Sequence, residues 1–133
     1  MSKFAHVLVV DDEALIRWSV CESLAARGMN VSQASDAASA TRLIEGGAHT
    51  FDVIVLDLRL PDVNDLSLVA KVRRLSPQSR VIVMTAFGTP EVAANVMALG
   101  ASTIIGKPFE LDDLAALVDA NIAGDPDTAS APD

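Results

Sequence analysis

The sequence has little cysteine and little positive charge, and each shortage excludes a class of protein. Cys21 is the only cysteine among the 133 residues, so no disulfide can form within the chain, which fits a reducing cytosol. Ten basic residues stand against 18 acidic ones, giving a net charge of −8. Because such a surface repels a phosphate backbone, we expect no direct nucleic-acid binding by this chain.

Long apolar runs are also missing. No segment approaches the roughly 18 consecutive apolar residues that a membrane span requires. Met1–Phe4 lead into the first apolar run without a signal-type stretch before it. The sequence therefore predicts a soluble, cytoplasmic protein that does not contact a membrane.

The length of the chain suits one domain. We assign residues 1–123 to this domain. The segment 124–133 contains no large apolar side chain and can bury nothing, so we expect a linker or a disordered tail there.

Short apolar runs and helical patterns alternate five times along the domain. The runs predict strands over residues 5–10, 29–34, 51–56, 80–84 and 102–106, the second being the least apolar and expected near a sheet edge. Helical spacing, caps and stop signals predict helices over residues 13–27, 36–44, 65–75, 89–100 and 110–123. The strict alternation predicts a doubly wound α/β fold, with a five-stranded parallel sheet and helices on both faces.

Distinctive polar residues follow four of these runs. Asp11 and Asp12 follow the first run, Asp57 the third, Thr85 the fourth and Lys107 the last. The carboxyl ends of parallel strands share one edge, where open α/β proteins bind ligands, so these side chains should meet in one pocket. Three carboxylates, a hydroxyl and an ammonium are the composition of a magnesium-dependent phosphoryl site on an aspartate. Ala86 is small and would leave access to it.

Each of these residues also has an ordinary structural explanation. Asp11 or Asp12 could cap the first helix, Asp57 could belong to an Asx turn, and Lys107 could be a solvated loop charge. Thr85 could be an ordinary strand residue. Taken singly, these explanations are about as good as a functional one, but the joint placement at strand ends favours a common site.

Four motifs resemble one protein family. They are Val9-Val10-Asp11-Asp12-Glu13, Leu56-Asp57-Leu58-Arg59-Leu60-Pro61, Met84-Thr85-Ala86 and Lys107-Pro108-Phe109. Together they resemble the receiver domain of two-component response regulators, which implies a flavodoxin-like (βα)5 fold along residues 5–123. Leu15–Trp18 and Met84–Gly88 are most similar to receivers of sigma-54-dependent transcription activators.

The resemblance implies a role for each site residue. Asp57 would be phosphorylated by a sensor histidine kinase or a phosphotransfer protein. Mg²⁺ would be bound directly by Asp12 and Asp57, by Asp11 mainly through water, and by the backbone carbonyl of Arg59. Thr85, Ala86 and Lys107 would contact the phosphoryl group, and the Lys107–Pro108 peptide bond would be cis.

The resemblance also implies partners and an output. A homodimer through the face made by the fourth helix, fifth strand and fifth helix is one expectation, and an output domain in a longer chain is another.

Two departures from the family bear on how phosphorylation would change this face. Asp65 stands where the family usually has glycine, and Ile104 stands where it commonly has an aromatic ring to follow Thr85. We therefore expect a weaker coupling that runs through residues 86–90.

Two other functions compete with this interpretation. A phosphatase of the haloacid dehalogenase type also uses an aspartyl nucleophile and magnesium, but it needs a second aspartate at the position of Arg59. A pseudo-receiver used only for protein binding would not need the intact set of site residues. We further expect that Glu13 points away from the pocket, that Trp18 packs within the helix layer, and that His6 and His49 form no zinc site.

Overall fold

The computed structural model describes residues 5–47, 50–62, 66–86 and 88–123. Five strands and five helices alternate along the chain: β1 His6–Val10, α1 Ala14–Ala25, β2 Asn30–Ala34, α2 Ala37–Gly46, β3 Val53–Asp57, α3 Ser67–Leu75, β4 Arg80–Thr85, α4 Pro90–Ala98, β5 Thr103–Gly106 and α5 Leu111–Ala123. The expectations for His49, for Asp65 and for the tail 124–133 lie outside the described residues.

All neighbouring strands of the sheet are parallel, in the order β2-β1-β3-β4-β5. This order confirms the predicted fold, and β2 lies at an edge as expected. The chain first moves outward from β1 to β2 and then returns to place β3 on the other side of β1. The strand order therefore reverses between β1 and β3, and such a switch point is where open α/β sheets bind ligands.

The core has two layers because alternate residues of each strand face opposite sides of the sheet. Leu8, Ile54 and Val83 belong to the layer that also contains buried residues of α2, α3 and α4. Val9, Val55 and Met84 belong to the layer with α1 and α5. Because both faces are covered, the inner strands consist almost entirely of apolar residues.

Local signals in the sequence explain where several helices begin and end. Asp36 accepts a hydrogen bond from the Ser39 N–H at 2.7 Å and caps α2, whose end is marked by Gly47 at a φ of 68°. Thr89 accepts from the Val92 N–H at 3.2 Å and caps α4, with Pro90 in the first turn. Both caps lie at the residues where the sequence predicts these helices to begin.

Some boundaries differ from the prediction. Asp57 and Thr85 are the last residues of β3 and β4 rather than the first residues after them, because Asp57 still pairs with Met84 and Thr85 with Gly106. Helix α1 ends at Ala25, two residues earlier than predicted. Among the described residues, no helix is long and apolar enough to cross a lipid bilayer.

Candidate functional site

The site lies at the carboxyl ends of β1, β3 and β5, where one ammonium meets three carboxylates. Lys107 Nζ lies 3.0 Å from Asp57 Oδ2, 3.1 Å from Asp11 Oδ2 and 3.3 Å from Glu13 Oε1. Asp57 and Asp11 meet because β1 and β3 are neighbours in the sheet. Lys107 reaches them from the loop that follows β5, and its side chain is only 15% exposed.

Backbone donors hold the two buried carboxylates from the opposite side. The Glu13 N–H donates to Asp11 Oδ1 at 2.9 Å, and the Arg59 N–H donates to Asp57 Oδ1 at 3.0 Å. Each aspartate thus bonds the backbone two residues further on, so the Asx-turn explanation of Asp57 describes a real contact. In both residues this contact turns the second oxygen toward Lys107.

Asp11, Asp12 and Asp57 form an acidic group that suits a divalent cation. One oxygen of each carboxylate lies within 4.8 Å of the others. Asp11 and Asp57 are buried, whereas Asp12 is exposed, so the group opens to solvent on the Asp12 side. Three carboxylates contact the single charge of Lys107 and Asp12 adds a fourth negative charge nearby, so a second cation would reduce the repulsion that remains. Hard oxygen ligands on an open site fit Mg²⁺.

Burial and neighbouring charges shift the proton affinities in this group. Burial raises the pKa of Asp11, and the charge of Asp57 raises it further, while hydrogen bonds from Glu13 N–H and Lys107 oppose the shift. Burial alone would lower the pKa of Lys107, but hydrogen bonds and charges from Asp57 and Asp11 outweigh it and raise this pKa above its usual range. Lys107 therefore stays charged, although one ammonium cannot fully replace the hydration that Asp11 has lost.

An open cavity of about 680 Å³ gives access to these groups. Of the candidate site residues, Asp12, Asp57, Arg59, Thr85, Ala86 and Lys107 line it, and Glu13 lines it as well. Asp57 and Thr85 are buried within this lining, whereas Ala86 is small and exposed. A group with the size of a phosphoryl fits easily within this volume.

The last strand positions Lys107. The Lys107 N–H donates to the Thr85 carbonyl oxygen at 2.8 Å and so continues the pairing of β4 with β5. The Lys107–Pro108 peptide bond is cis. Ile104 does not line the cavity; it lies two residues before the strand end, half-buried, and packs against the layer that includes α4.

Two expectations about side chains were wrong, and the ordinary explanation of Lys107 as a solvated loop charge is excluded. Glu13 does not point away from the pocket, because as the residue before α1 its flexible side chain reaches Lys107. Lys107 is mostly buried among carboxylates rather than solvated in a loop. Trp18 is 58% exposed, since it faces outward from α1 beside Leu15, while Val20 and Leu24 form the buried side of that helix.

Two contacts near the site were missed by the sequence reasoning. Arg17 Nη1 donates to the Asp11 carbonyl oxygen at 2.8 Å. The Asp62 carboxylate accepts from Ala37 N–H and Ala38 N–H, at 2.9 Å and 3.0 Å, and so ties the loop after β3 to the start of α2. For Arg17, the signal was a basic residue in the first turn of α1, shortly after the acidic pair. For Asp62, no local pattern predicts a cap from a distant loop.

Known proteins match both the sequence and the structure. The family model of the response regulator receiver domain matches residues 7–119. The DNA-binding transcriptional regulator NtrC of Azospirillum brasilense is 31% identical over 96% of this chain and 26% of its own length. The chain thus spans about a quarter of the length of the curated relatives it matches.

Solved structures with similar folds are also receiver proteins. A CheY-like response regulator receiver domain protein from Methanospirillum hungatei JF-1 has a TM-score of 0.83 at 27% identity, covering 90% of this chain and 94% of that one. A response regulator from Burkholderia pseudomallei, with a phosphorylated aspartic acid, calcium ion and citrate, has a TM-score of 0.76 at 29% identity. The similarity covers 90% of this chain and 73% of that protein.

These matches show the family. The chain belongs to the response regulator receiver domains, the phosphorylation-controlled signalling modules of two-component systems. It is related to the receivers of NtrC-type regulators, as the similarity to sigma-54-dependent activators implied.

Proposed function

We propose that Asp57 is the phosphoacceptor of this domain and that it takes its phosphoryl group from a phosphohistidine of a sensor histidine kinase or phosphotransfer protein. The observation that carries this proposal is the position of Asp57 at the end of the central strand, with one oxygen held by Arg59 N–H and the other facing Lys107. Support also comes from the Burkholderia pseudomallei protein of the same family, which contains a phosphorylated aspartic acid.

In the reaction, a carboxylate oxygen of Asp57 forms a bond to phosphorus while the P–N bond of the phosphohistidine breaks. The bonding electron pair returns to the imidazole, which leaves as the neutral base because its other ring nitrogen carries a proton during the transfer. Lys107 begins the reaction beside Asp57 Oδ2 and can follow the negative charge onto the phosphoryl oxygens. Thr85 and Ala86 line the opening from which the phosphoryl group enters, and we assign them contacts to its oxygens.

The acidic group would hold Mg²⁺, with Asp12 and Asp57 as direct ligands, Asp11 mainly through water and the Arg59 carbonyl completing the protein ligands. When bound, this ion neutralises the negative charges that the carboxylate and the incoming phosphoryl group bring together. The chain itself supplies the alignment: Glu13 N–H and Arg59 N–H each fix one aspartate oxygen, so the two carboxylates do not need to reorganise.

The length of the relatives bears on the output of the domain. NtrC-type relatives are about four times longer, so we propose that an output domain acts with this receiver to regulate transcription. We place the signalling surface, including a homodimer contact, on α4, β5 and α5. We also propose that the domain acts in the cytoplasm. We expect regulation rather than turnover of a substrate, beyond self-phosphorylation and self-dephosphorylation.

Acetyl phosphate tests the assignment of Asp57. With Mg²⁺, intact-mass measurement should show one added phosphoryl group on the wild type and none on Asp57→Asn. Asp52→Asn is a matched control, because Asp52 precedes β3 and so lies at the opposite end of the same strand from Asp57. There it accepts from His6 N–H at 2.9 Å. Equal uptake by Asp57→Asn and Asp52→Asn would show that another residue is the acceptor.

A second assay separates the receiver from the rival phosphatase. A generic phosphate ester should not be turned over, because Arg59 offers no carboxylic acid to protonate a leaving group. Catalytic release of phosphate that is lost in Asp57→Asn would instead identify a hydrolase.

A further inference from the structure

Arg17 reaches the acidic pair from outside the cavity. It lies in the first half of α1 and is half-buried. Its Nη1 donates to the Asp11 carbonyl oxygen at 2.8 Å, and its Nε donates to Gln33 Oε1 at 2.8 Å. Gln33 belongs to β2, the strand next to β1. One guanidinium therefore links the loop after β1 to the edge strand.

The Arg17 contact completes the restraint of Asp11. The Asp11 N–H donates to the Ala34 carbonyl oxygen at 3.1 Å, Asp11 Oδ1 accepts from Glu13 N–H, and Asp11 Oδ2 faces Lys107. The carbonyl oxygen is the remaining polar atom, and it is the one that Arg17 holds. Ala34 and Glu13 contact Asp11 through backbone atoms, and Lys107 lines the cavity. Arg17 differs from all three, because it contacts Asp11 through a side chain that does not line the cavity.

Holding this carbonyl also restrains Asp12. The carbonyl of Asp11 and the N–H of Asp12 belong to one planar peptide group, so the orientation of the carbonyl fixes the plane from which Asp12 continues. Asp12 is exposed and has little packing of its own to orient it. The direction of its carboxylate thus depends on the peptide plane that Arg17 holds.

We propose that Arg17, oriented by Gln33, is a positioning residue that fixes the Asp11–Asp12 peptide so that both carboxylates are arranged for cation binding. This inference rests on the proposed function. Ligand-orienting contacts of this kind typically change metal affinity by about 10–100-fold when removed. Arg17 also brings a positive charge near the acidic group. This charge by itself repels a cation, so weaker Mg²⁺ binding after its removal reports lost orientation and not lost charge. A lysine would keep the charge, but its single nitrogen cannot reproduce two donors held in one plane.

The test compares Arg17→Met, Arg17→Lys and Gln33→Leu with the wild type. The Mg²⁺ dissociation constant is measured by amide chemical-shift titration, and phosphoryl uptake from acetyl phosphate is followed at limiting and saturating Mg²⁺. We expect Arg17→Met and Arg17→Lys to bind Mg²⁺ about tenfold more weakly. Gln33→Leu removes one hydrogen bond from the Arg17 guanidinium but leaves its contact with the Asp11 carbonyl, so it should weaken binding less, about two- to tenfold. At saturating Mg²⁺, phosphoryl uptake should return close to the wild-type rate.

The control is Arg27→Met. Arg27 follows α1 and pairs with Asp119 at 3.0 Å, far from the acidic pair along the helix. Its removal should leave Mg²⁺ affinity unchanged. Urea unfolding of every variant separates affinity from stability, and Gln33→Leu with Arg17→Lys keeps the test valid if Arg17→Met does not fold.

Three results would overturn the inference. Wild-type affinity in Arg17→Met would show that the contact does not position the acidic pair. Wild-type affinity in Arg17→Lys with weak binding in Arg17→Met would show that a single donor is enough and that the two donors of the guanidinium, and hence Gln33, do not position the acidic pair. A wild-type chain that binds no Mg²⁺ would overturn the proposed function together with this inference. If the wild type takes up phosphoryl normally and the variants bind Mg²⁺ as tightly as the wild type, only this inference is overturned.

Discussion

Lys107 Nζ lies 3.0 Å from Asp57 Oδ2, although 50 residues separate them in sequence. The same ammonium also contacts Asp11 and Glu13. Before phosphorylation, then, the charge that would bind phosphoryl oxygens is already shared among carboxylates. A phosphoryl group on Asp57 would compete with Asp11 and Glu13 for Lys107, and its arrival would rearrange the whole cluster.

Replacing Lys107 with alanine should lower stability as well as response. Asp11 and Asp57 would lose their shared counter-ion, and Asp11 is fully buried. Because the site is partly open to solvent, we expect a loss of roughly 1–3 kcal/mol in the free energy of unfolding rather than the larger cost of a sealed pair. Mg²⁺ should recover part of this loss by supplying another positive charge. Urea unfolding with and without Mg²⁺ measures both effects.

The control for this experiment is Lys71→Ala, an exposed lysine of α3. It should change stability by less than about 0.5 kcal/mol with or without Mg²⁺. If Lys107→Ala were as stable as this control and took up phosphoryl normally, Lys107 would have no role in the site.

Asp12 should contribute more to Mg²⁺ binding than Glu13. Asp12 belongs to the group whose carboxylate oxygens lie within 4.8 Å of one another, whereas the exposed Glu13 side chain bonds to Lys107. Asp12→Asn should therefore weaken Mg²⁺ binding at least about tenfold, and Glu13→Gln only a few-fold through the loss of a nearby charge. Calorimetric titration of both variants checks the ranking, which equal losses would contradict.

Much of this arrangement was predictable because buried parallel strands have a simple pattern. Short apolar runs such as Val7–Val10 and Val53–Leu56 are typical of strands covered on both faces, and their ends place Asp11 and Asp57 at one edge. The caps at Asp36 and Thr89 involve residues three positions apart, so the sequence also contains both partners.

Contacts between distant segments were not predictable in this way. The reach of Glu13 to Lys107 depends on a side-chain rotamer and on a loop 94 residues further along the chain. The Arg17–Gln33 contact depends on the register of β2 beside β1. Trp18 was assigned to packing because it is large and apolar, yet the orientation of α1 was decided by Val20 and Leu24. Such details follow from tertiary packing, on which local patterns carry little information.

The cap of α2 predicts a specific pH dependence of stability. Hydrogen bonds from Ser39, through its side chain and its N–H, lower the pKa of Asp36. The folded state therefore favours the carboxylate, and this contribution is fully present above the unfolded pKa of about 4 and is lost as the pH falls through the lowered folded pKa. Asp36→Asn keeps a capping oxygen without the charge, so it should be less stable than the wild type at neutral pH.

The stability difference between wild type and Asp36→Asn should shrink as the pH falls below about 4. Urea unfolding between neutral and acidic pH measures it. Ser39→Ala, which removes the side-chain donor, should show a smaller pH-dependent contribution than the wild type. A difference that stayed constant with pH would show that the Asp36 charge does not stabilise α2.

Phosphorylation should act on the face made by α4, β5 and α5 through the loop that follows Thr85. Thr85 is buried, and a Cβ added to Gly88 would lie 3.3 Å from Thr85 Cγ2, so the loop backbone packs closely beside the threonine side chain. Drawing the Thr85 hydroxyl toward a phosphoryl oxygen must therefore change this contact and bias the start of α4. Ile104 offers no ring to follow Thr85, so we expect a coupling free energy at or below about 1 kcal/mol and partial activation.

Amide hydrogen exchange with beryllofluoride and Mg²⁺, a stable mimic of the phosphoryl group, measures this response. Protection should change in residues 86–110 and stay constant in α1 and α2; changes confined to those two helices would contradict the placement of the output face. Ile104→Phe should enlarge the response, because a ring at this position can move with Thr85. Ile105→Phe is the matched control, since Ile105 packs in the opposite layer, with α1 and α5. An equal response in both variants would show that ring size alone, and not the position beside the switch, determines the coupling.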